Sequence, residues 1–179
     1  DQWGVFSRSR VQLLPHQLWV CRQVTQHWPA RWMVADDVGL GKTIEAGLIL
    51  EPLIASGRVR RILVLAPARL VPQWRARMKT MFDIRLQEYT ADGDRGRVSF
   101  WETAQQVVAS FHTMRMDKPR ERLLVADPWD LVIVDEAHHF QAQERASTLS
   151  YGLLRELQDA GRINSLILFT GTPHRGKDF

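Results

Sequence analysis

A glycine-rich segment between an apolar run and a helical pattern constrains this chain more than any other feature. The apolar run covers residues 32–35, the segment covers residues 36–43, and the helical pattern covers residues 42–54. Gly39 and Gly41 allow a tight turn whose backbone N–H groups point at phosphate oxygens, beside the positive end of the following helix. This order of strand, loop and helix predicts a phosphate-binding loop.

Two side chains of the segment supply its chemistry. Lys42 provides a positive charge for β- and γ-phosphates, and Thr43 provides a hydroxyl for Mg²⁺. The segment departs from the pattern G-x-x-x-x-G-K-[ST] at Asp36, where the first glycine is expected. The flanking strand and helix still favour a phosphate loop over a chance Gly-Lys-Thr turn.

Apolar runs alternate with helical patterns along the chain. Short runs of this kind, apolar on both faces, indicate buried strands. The runs cover residues 32–35, 61–66, 107–110, 131–134 and 165–169, and the helical patterns cover residues 16–28, 42–54 and 148–157. We therefore predict an α/β fold with a mainly parallel central sheet and helices on both faces, forming one domain over residues 1–179. Residues 91–96 and 116–120 are predicted to be surface loops.

Composition excludes several classes of protein. The chain has 179 residues, of which 45% are hydrophobic, so it can fill a core and is not a disordered tail. Its single cysteine, Cys21, cannot form an internal disulfide, which favours a reducing compartment. No apolar stretch approaches the ~20 residues of a membrane helix, so we expect no membrane partner. The net charge of +4 is compatible with nucleic-acid binding without demonstrating it.

A pair of acids follows the most apolar predicted strand. Asp135 and Glu136 come directly after residues 131–134, at the sheet edge where ligands bind in such folds. Phosphoryl transfer needs one acid near Mg²⁺ and another near the attacking water, so we assign Asp135 to the metal and Glu136 as general base. His138 and His139 follow, but no accompanying Cys pair or H-E-x-x-H spacing is present, so we expect no zinc site.

Three weaker patterns also stand at element ends. Residues 170–173, Thr-Gly-Thr-Pro, follow an apolar strand and could sense a neighbouring phosphate. Arg69 lies just after Pro67, where main-chain N–H groups could meet a nucleic-acid backbone. Gln17 carries an amide that can both donate to and accept from an adenine edge. Each of these patterns is also common in ordinary turns and helix starts.

Taken together and in order, these segments resemble the first RecA-like lobe of a superfamily-two helicase. They resemble more narrowly the Swi/Snf-type DNA translocases and their RapA-like bacterial branch. The adenine-reading motif matches residues 14–17, motif Ia residues 63–74, motif Ib residues 109–113, motif II residues 135–138 and motif III residues 170–173. Asp36 in place of glycine is itself a feature of the Swi/Snf group. The resemblance covers residues 13–176.

The resemblance implies an ATP hydrolase of the P-loop class that uses ATP and Mg²⁺ and acts on DNA, with duplex DNA as the expected partner. Nucleotide binding is implied for Gln17, Asp37, Gly39, Gly41, Lys42, Thr43 and Ile44. Catalysis is implied for Lys42, Asp135 and Glu136, and Mg²⁺ binding for Thr43 and Asp135. Coupling to movement is implied for His138, Thr170, Gly171 and Thr172, and nucleic-acid contact for Arg69 and Ser110.

The resemblance also implies a partner lobe and a setting. Such motors need a second RecA-like lobe that completes the ATP site, so we expect this chain alone to be nearly inactive. Asp37 stands where many relatives carry Glu, and residues 174–177 differ from the sequence usual in eukaryotic remodelers. The difference at residues 174–177 favours a translocase of the bacterial cytoplasm, in repair, transcription recycling or phage defence, over a chromatin remodeler.

Other functions stay open at this point. A strand-separating DNA or RNA helicase would share these motifs, because strand choice and polarity depend on the second lobe. A non-catalytic nucleic-acid-binding module would not need Lys42, Thr43, Asp135 and Glu136 together, and a P-loop kinase would leave motif II unexplained. Most of the tryptophans are expected in the core, while Trp101, among polar residues, could mark a partner surface.

Overall fold

A central parallel sheet organises the chain. The computed structural model describes residues 31–35, 39–136 and 152–170, with only the backbone described at 31–35, 39–41, 136 and 170. The strands are β1 (Arg31–Ala35), β2 (Ile62–Ala66), β3 (Gln87–Glu88), β4 (Gln106–Ser110), β5 (Trp129–Glu136) and β6 (Ile163–Thr170). Their order is β1-β6-β5-β2-β4-β3, and all five neighbouring pairs are parallel.

Helices connect the strands on both sides of this sheet. They are α1 (Gly39–Ala55), α2 (Val71–Phe82), α3 (Phe100–Thr103), α4 (Phe111–Met114), α5 (Asp117–Val125) and α6 (residues 152–159), with 3₁₀ turns at Ala68–Leu70 and Asp92–Asp94. One apolar cluster joins α1 and α2 to one sheet face, and a second joins α3, α4, α5 and α6 to the other. The predicted three-layer α/β architecture is therefore confirmed.

The strands are apolar on both faces because both faces are covered. In β2, Ile62 and Val64 belong to the α1 and α2 cluster, whereas Leu63 and Leu65 belong to the opposite cluster. All five residues of β2 are buried. A continuous apolar run is what a parallel strand between two helical layers requires.

Helix α2 owes its position to helical periodicity and to its end signals. Its buried residues are Val71, Trp74, Met78 and Phe82, which form one stripe at spacings of three and four. A proline stands in its first turn, where no N–H is needed, and Asp83 ends the helix in the left-handed region at φ 54°. The stripe packs α2 against α1 and the sheet.

The five predicted strands are confirmed with small shifts of their ends. The two-residue strand β3 was not predicted, because Gln87 and Glu88 are both exposed and carry no apolar signal. The predicted loop at residues 116–120 is wrong, since α5 begins at Asp117 and Pro119 fits its first turn. Of the pattern at residues 148–157, the described part lies in α6. The pattern at residues 16–28 lies outside the described residues.

The loop predicted at residues 91–96 contains a buried acid. Asp94 accepts hydrogen bonds from the Tyr89 hydroxyl at 2.7 Å and from the backbone N–H of Phe100 at 2.7 Å. It also pairs with Arg122 at 2.6 Å. Burial of the phenol and, secondly, its hydrogen bond to Asp94 raise the pKa of Tyr89. These contacts fix the loop to the sheet and α5, so it is not merely a solvated loop.

Trp101 is not a partner surface, and that expectation is wrong. Its side chain is 0% exposed and stacks on Tyr89 with ring centroids 4.0 Å apart. Polar neighbours in the sequence concealed this burial because α3 is a single turn, too short to show a periodic apolar stripe. Trp74 and Trp129 are equally buried, as expected of core tryptophans.

None of the helices in the described part of the chain has the length and apolar character that a membrane span needs.

Candidate nucleotide and metal site

The first turns of α1 carry five of the predicted site residues, which are Gly39, Gly41, Lys42, Thr43 and Ile44. The helix begins at Gly39, and the N–H groups of its first turn have no acceptor within the helix. Lys42 and Thr43 are 3% and 2% exposed, and Ile44 is partly buried. Two polar side chains are thus buried at a helix start, where the local dipole favours an anion.

Lys42 and Asp135, 93 residues apart, form a buried ion pair. Lys42 Nζ lies 3.2 Å from Asp135 Oδ1, and each side chain is only 4% exposed. The pair forms because β5 lies inside the sheet and ends near the start of α1. A buried charge is tolerated when it is paired, so each residue compensates the other. The structure thus brings together Lys42, which the sequence motifs assign to the phosphates, and Asp135, which they assign to the metal.

The second oxygen of Asp135 has its own partner. Trp74 Nε1 donates a hydrogen bond to Asp135 Oδ2 at 2.9 Å, and the tryptophan side chain is buried. Asp135 is therefore held through both oxygens, by α1 on one side and α2 on the other. Trp74 lies in the predicted motif Ia, and its sequence context predicts only a packing role. The carboxylate contact depends on the crossing of α2 and β5, which no sequence spacing reveals.

The strand register aligns several carboxyl ends at one edge of the sheet. Thr170 of β6 is in register with both Ala35 of β1 and Glu136 of β5. On the neighbouring strands, Ala66 of β2 is in register with Ser110 of β4. The carboxyl ends of β1, β5 and β6 therefore lie side by side. Ligands of parallel α/β sheets bind at this edge.

The two predicted nucleic-acid residues follow adjacent strands at the same edge. Arg69 lies in the 3₁₀ turn after β2 and is exposed. Ser110 ends β4 and is partly buried, and its hydroxyl caps α4 by accepting a hydrogen bond from the N–H of Thr113 at 3.1 Å. The Ser110 hydroxyl also donates to Thr113 Oγ1 at 2.9 Å. The side chain of Arg69 is thus accessible, while that of Ser110 is already engaged.

The side chains of the remaining predicted site residues are not described by the structure. Gln17, Asp37, His138, Gly171 and Thr172 lie outside the described residues. Glu136 and Thr170 are described by their backbone alone. In the part of the chain that is described, no group of three or more His, Cys, Asp or Glu could hold a metal ion.

The chemistry of the described residues fits a Mg²⁺-nucleotide. A hydroxyl and a carboxylate are hard oxygen donors of the kind Mg²⁺ prefers, and it usually takes one or two carboxylates together with phosphate oxygens. Thr43 carries such a hydroxyl, Asp135 carries such a carboxylate, and the ammonium of Lys42 lies beside that carboxylate. A three-ligand metal cage is not needed for such a site.

Comparisons with known proteins agree with this geometry. A family described as "Type III restriction enzyme, res subunit" (ResIII) matches residues 10–175. The RNA polymerase-associated protein RapA of Proteus mirabilis is 37% identical over 172 residues, covering 93% of this chain and 17% of that protein. RapA of Yersinia enterocolitica is 36% identical over 177 residues, covering 97% of this chain and 18% of that protein. The chain thus spans less than a fifth of these relatives' length.

A solved structure shows the same fold. The Sulfolobus solfataricus SWI2/SNF2 ATPase core in complex with dsDNA superposes with a TM-score of 0.69 at 19% identity. The match covers 93% of this chain and 33% of the other. The expected RecA-like α/β fold of such an ATPase core is therefore confirmed.

Proposed function

Because the chain belongs to the ResIII family, we propose that residues 1–179 form the ATP-binding RecA-like lobe of a DNA-dependent ATPase that translocates on duplex DNA. The observation that carries the proposal is the buried Lys42–Asp135 pair at the start of α1. A P-loop lysine beside a carboxylate at the end of a central strand is the arrangement that Mg²⁺-dependent phosphoryl transfer requires.

Each described site residue has a part in this function. Lys42 binds the β- and γ-phosphates, and Thr43 and Asp135 hold Mg²⁺, which when bound neutralises charge on the phosphates. Backbone N–H groups at Gly39 and Gly41 contact phosphate oxygens. Ile44 lines the nucleotide site in the next turn of α1. The buried position of Lys42, Thr43 and Asp135 excludes water and strengthens their charge interactions.

Further residues are assigned from the sequence pattern. Glu136 takes a proton from the attacking water, and its backbone position beside Asp135 and in register with Thr170 supports that role. Gln17 reads adenine and Asp37 lies in the phosphate loop. His138, Thr170, Gly171 and Thr172 couple the state of the nucleotide to movement.

The DNA track runs over the same edge of the sheet. Arg69 is exposed after β2, and a guanidinium there suits phosphate oxygens. Ser110, whose hydroxyl caps α4, contributes through its position at the end of β4. The dsDNA-bound ATPase core among the structural neighbours supports duplex DNA as the partner. A second RecA-like lobe would complete both the track and the ATP site.

The cellular setting follows from the relatives. These relatives are RNA polymerase-associated proteins, which supports transcription recycling in the bacterial cytoplasm over repair or phage defence. Since catalysis in this family needs a second lobe, we expect the 179-residue chain alone to hydrolyse ATP very slowly. A turnover on this chain alone that equals the turnover of the full-length protein would contradict that expectation.

The decisive experiment measures ATP hydrolysis by the full-length protein with duplex DNA, single-stranded DNA or RNA. We expect stimulation by duplex DNA, and loss of hydrolysis in Lys42→Ala and Glu136→Gln. Equal stimulation by single strands would favour a strand-separating helicase, and stimulation by RNA alone would refute the proposal. DNA binding without any hydrolysis would indicate a non-catalytic binding module.

A further inference from the structure

We propose that Trp74 is a positioning residue of the metal site, whose indole N–H fixes the orientation of the Asp135 carboxylate for Mg²⁺. The inference rests on the proposed function, because it concerns the same carboxylate. It gives a chemical role to a side chain that would otherwise belong only to the core.

The contact has the features of a built interaction. Trp74 Nε1 lies 2.9 Å from Asp135 Oδ2, and the two residues are 1% and 3% exposed. An indole is a donor without acceptor capacity, so it can only stabilise a carboxylate oxygen and cannot compete for the cation. Hydrogen bonds to an ionised acceptor are stronger than neutral ones. The indole therefore holds Oδ2 in place without taking a coordination position of the cation.

The indole itself is held rigidly. Trp74 lies in the first apolar cluster, in the same buried stripe of α2 as Val71 and Met78. Its side chain has two rotatable bonds, and packing from α1 and the sheet restricts both. A rigid donor leaves Oδ2 little freedom to rotate, while Lys42 engages Oδ1. Partners of this kind behind a metal ligand set its orientation and raise metal affinity.

Burial alone does not explain the contact. Trp129 is as buried as Trp74, yet its Nε1 has no hydrogen-bond partner among the described residues. A core position therefore does not by itself supply an acceptor for an indole. Trp129 lies in β5, the strand that carries Asp135, and packs in the opposite apolar cluster. Trp129→Phe is accordingly a matched control for the loss of a buried indole.

The first test measures binding of a fluorescent ATP analogue, at a fixed analogue concentration, as Mg²⁺ is titrated. It compares the parent chain with Trp74→Phe and Trp129→Phe. We expect Trp74→Phe to need about tenfold more Mg²⁺ for half-maximal binding. This is the lower end of the loss in metal affinity that follows removal of a hydrogen-bond partner behind a metal ligand. Binding of the analogue in EDTA should not change, and Trp129→Phe should keep the parent's Mg²⁺ requirement. Equal Mg²⁺ requirements in the two variants would overturn the inference.

A second measurement needs no change at Trp74. In a ¹H–¹⁵N spectrum of the parent chain, we expect the Trp74 indole resonance to shift on Asp135→Asn and on addition of Mg²⁺ with nucleotide. The Trp129 indole resonance should stay in place under both changes. An unmoved Trp74 resonance overturns the inference even where Trp74→Phe fails to fold.

The two proposals fail in different ways. If the parent chain binds the analogue without regard to Mg²⁺ or to Lys42→Ala, the proposed function is wrong. If the parent requires both Mg²⁺ and Lys42 but Trp74→Phe behaves as Trp129→Phe, only the role of Trp74 is wrong.

Discussion

The ring of Phe82 occupies the space in which a side chain at Gly47 would begin, so α1 and α2 approach each other at a glycine. A Cβ built on Gly47 overlaps three atoms of that ring. Gly47 is therefore kept for close packing between helices, since no positive φ is recorded at this position.

We expect Gly47→Ala to destabilise the fold by about 1–3 kcal/mol, the usual cost of overpacking a core. The free energy of unfolding in urea measures this cost. Gly152→Ala is the matched control, because an added Cβ there meets nothing within 4 Å and α6 gains a better helix former. Restoration of stability in Gly47→Ala/Phe82→Leu would identify the ring as the cause, whereas an unchanged Gly47→Ala protein would contradict the packing argument.

The Lys42–Asp135 pair should matter for stability as well as for nucleotide binding. Lys42→Ala leaves a buried carboxylate without its cation, which costs about 3–5 kcal/mol when one partner of such a pair is removed. Urea unfolding of Lys42→Ala, Asp135→Asn and the double variant forms a double-mutant cycle. We expect the double variant to lose less than the sum of the single losses. Additive losses would show that the two charges do not interact.

The raised pKa of Tyr89 predicts a loss of folding stability at alkaline pH. Burial and the hydrogen bond to Asp94 raise the pKa of Tyr89 above the ordinary value of 10.0. Above about pH 10 the unfolded chain has lost the phenol proton while the folded chain keeps it. This contribution is complete below that pH and disappears as the pH rises towards the folded pKa.

We therefore expect the free energy of unfolding to fall between about pH 10 and about pH 11, and to fall less steeply in Tyr89→Phe. Urea unfolding curves at several pH values would measure both slopes. Parallel pH profiles for the two proteins would show that the phenol does not carry the effect.

Arg69 gives a test of the DNA track. Arg69→Ala should weaken duplex-DNA binding by the full-length protein and reduce its salt dependence by about one phosphate contact. Nucleotide binding should not change, because Arg69 is exposed and makes no recorded contact with the Lys42–Asp135 pair. As a control, Arg58→Ala removes another exposed arginine, which precedes β2 at the opposite end of the strand. Equal effects of the two changes would place the track elsewhere.

Much of the fold could be predicted because both sheet faces are covered. Strands such as β2 and β5 then show as continuous apolar runs, and the phosphate loop fixes where β1 ends. The edge strand β3 left no such signal, since its two residues are exposed. Helix α5 is largely polar and buries only Pro119 and Leu123, so its sequence has no apolar stripe from which a helix could be predicted.

The sequence motifs single out the residues of the candidate site, but they do not reveal the contacts between those residues. Lys42, Thr43 and Asp135 follow from motifs whose chemistry is local. The hydrogen bond from Trp74 to Asp135 depends on how α2 crosses the sheet, which packing decides after the chain has folded. The engagement of the Ser110 hydroxyl as a helix cap likewise follows from the turn into α4.

The strand order has a consequence for biosynthesis. On the ribosome β1 emerges before any other described strand, yet its partner among the described strands is β6, which emerges last of them. Until β6 is released, β2, β4 and β5 can associate while β1 has no partner strand among them. Contacts between such distant segments form slowly. Nucleotide-binding competence should therefore arise late, and its appearance would mark the completion of the fold in a nascent chain.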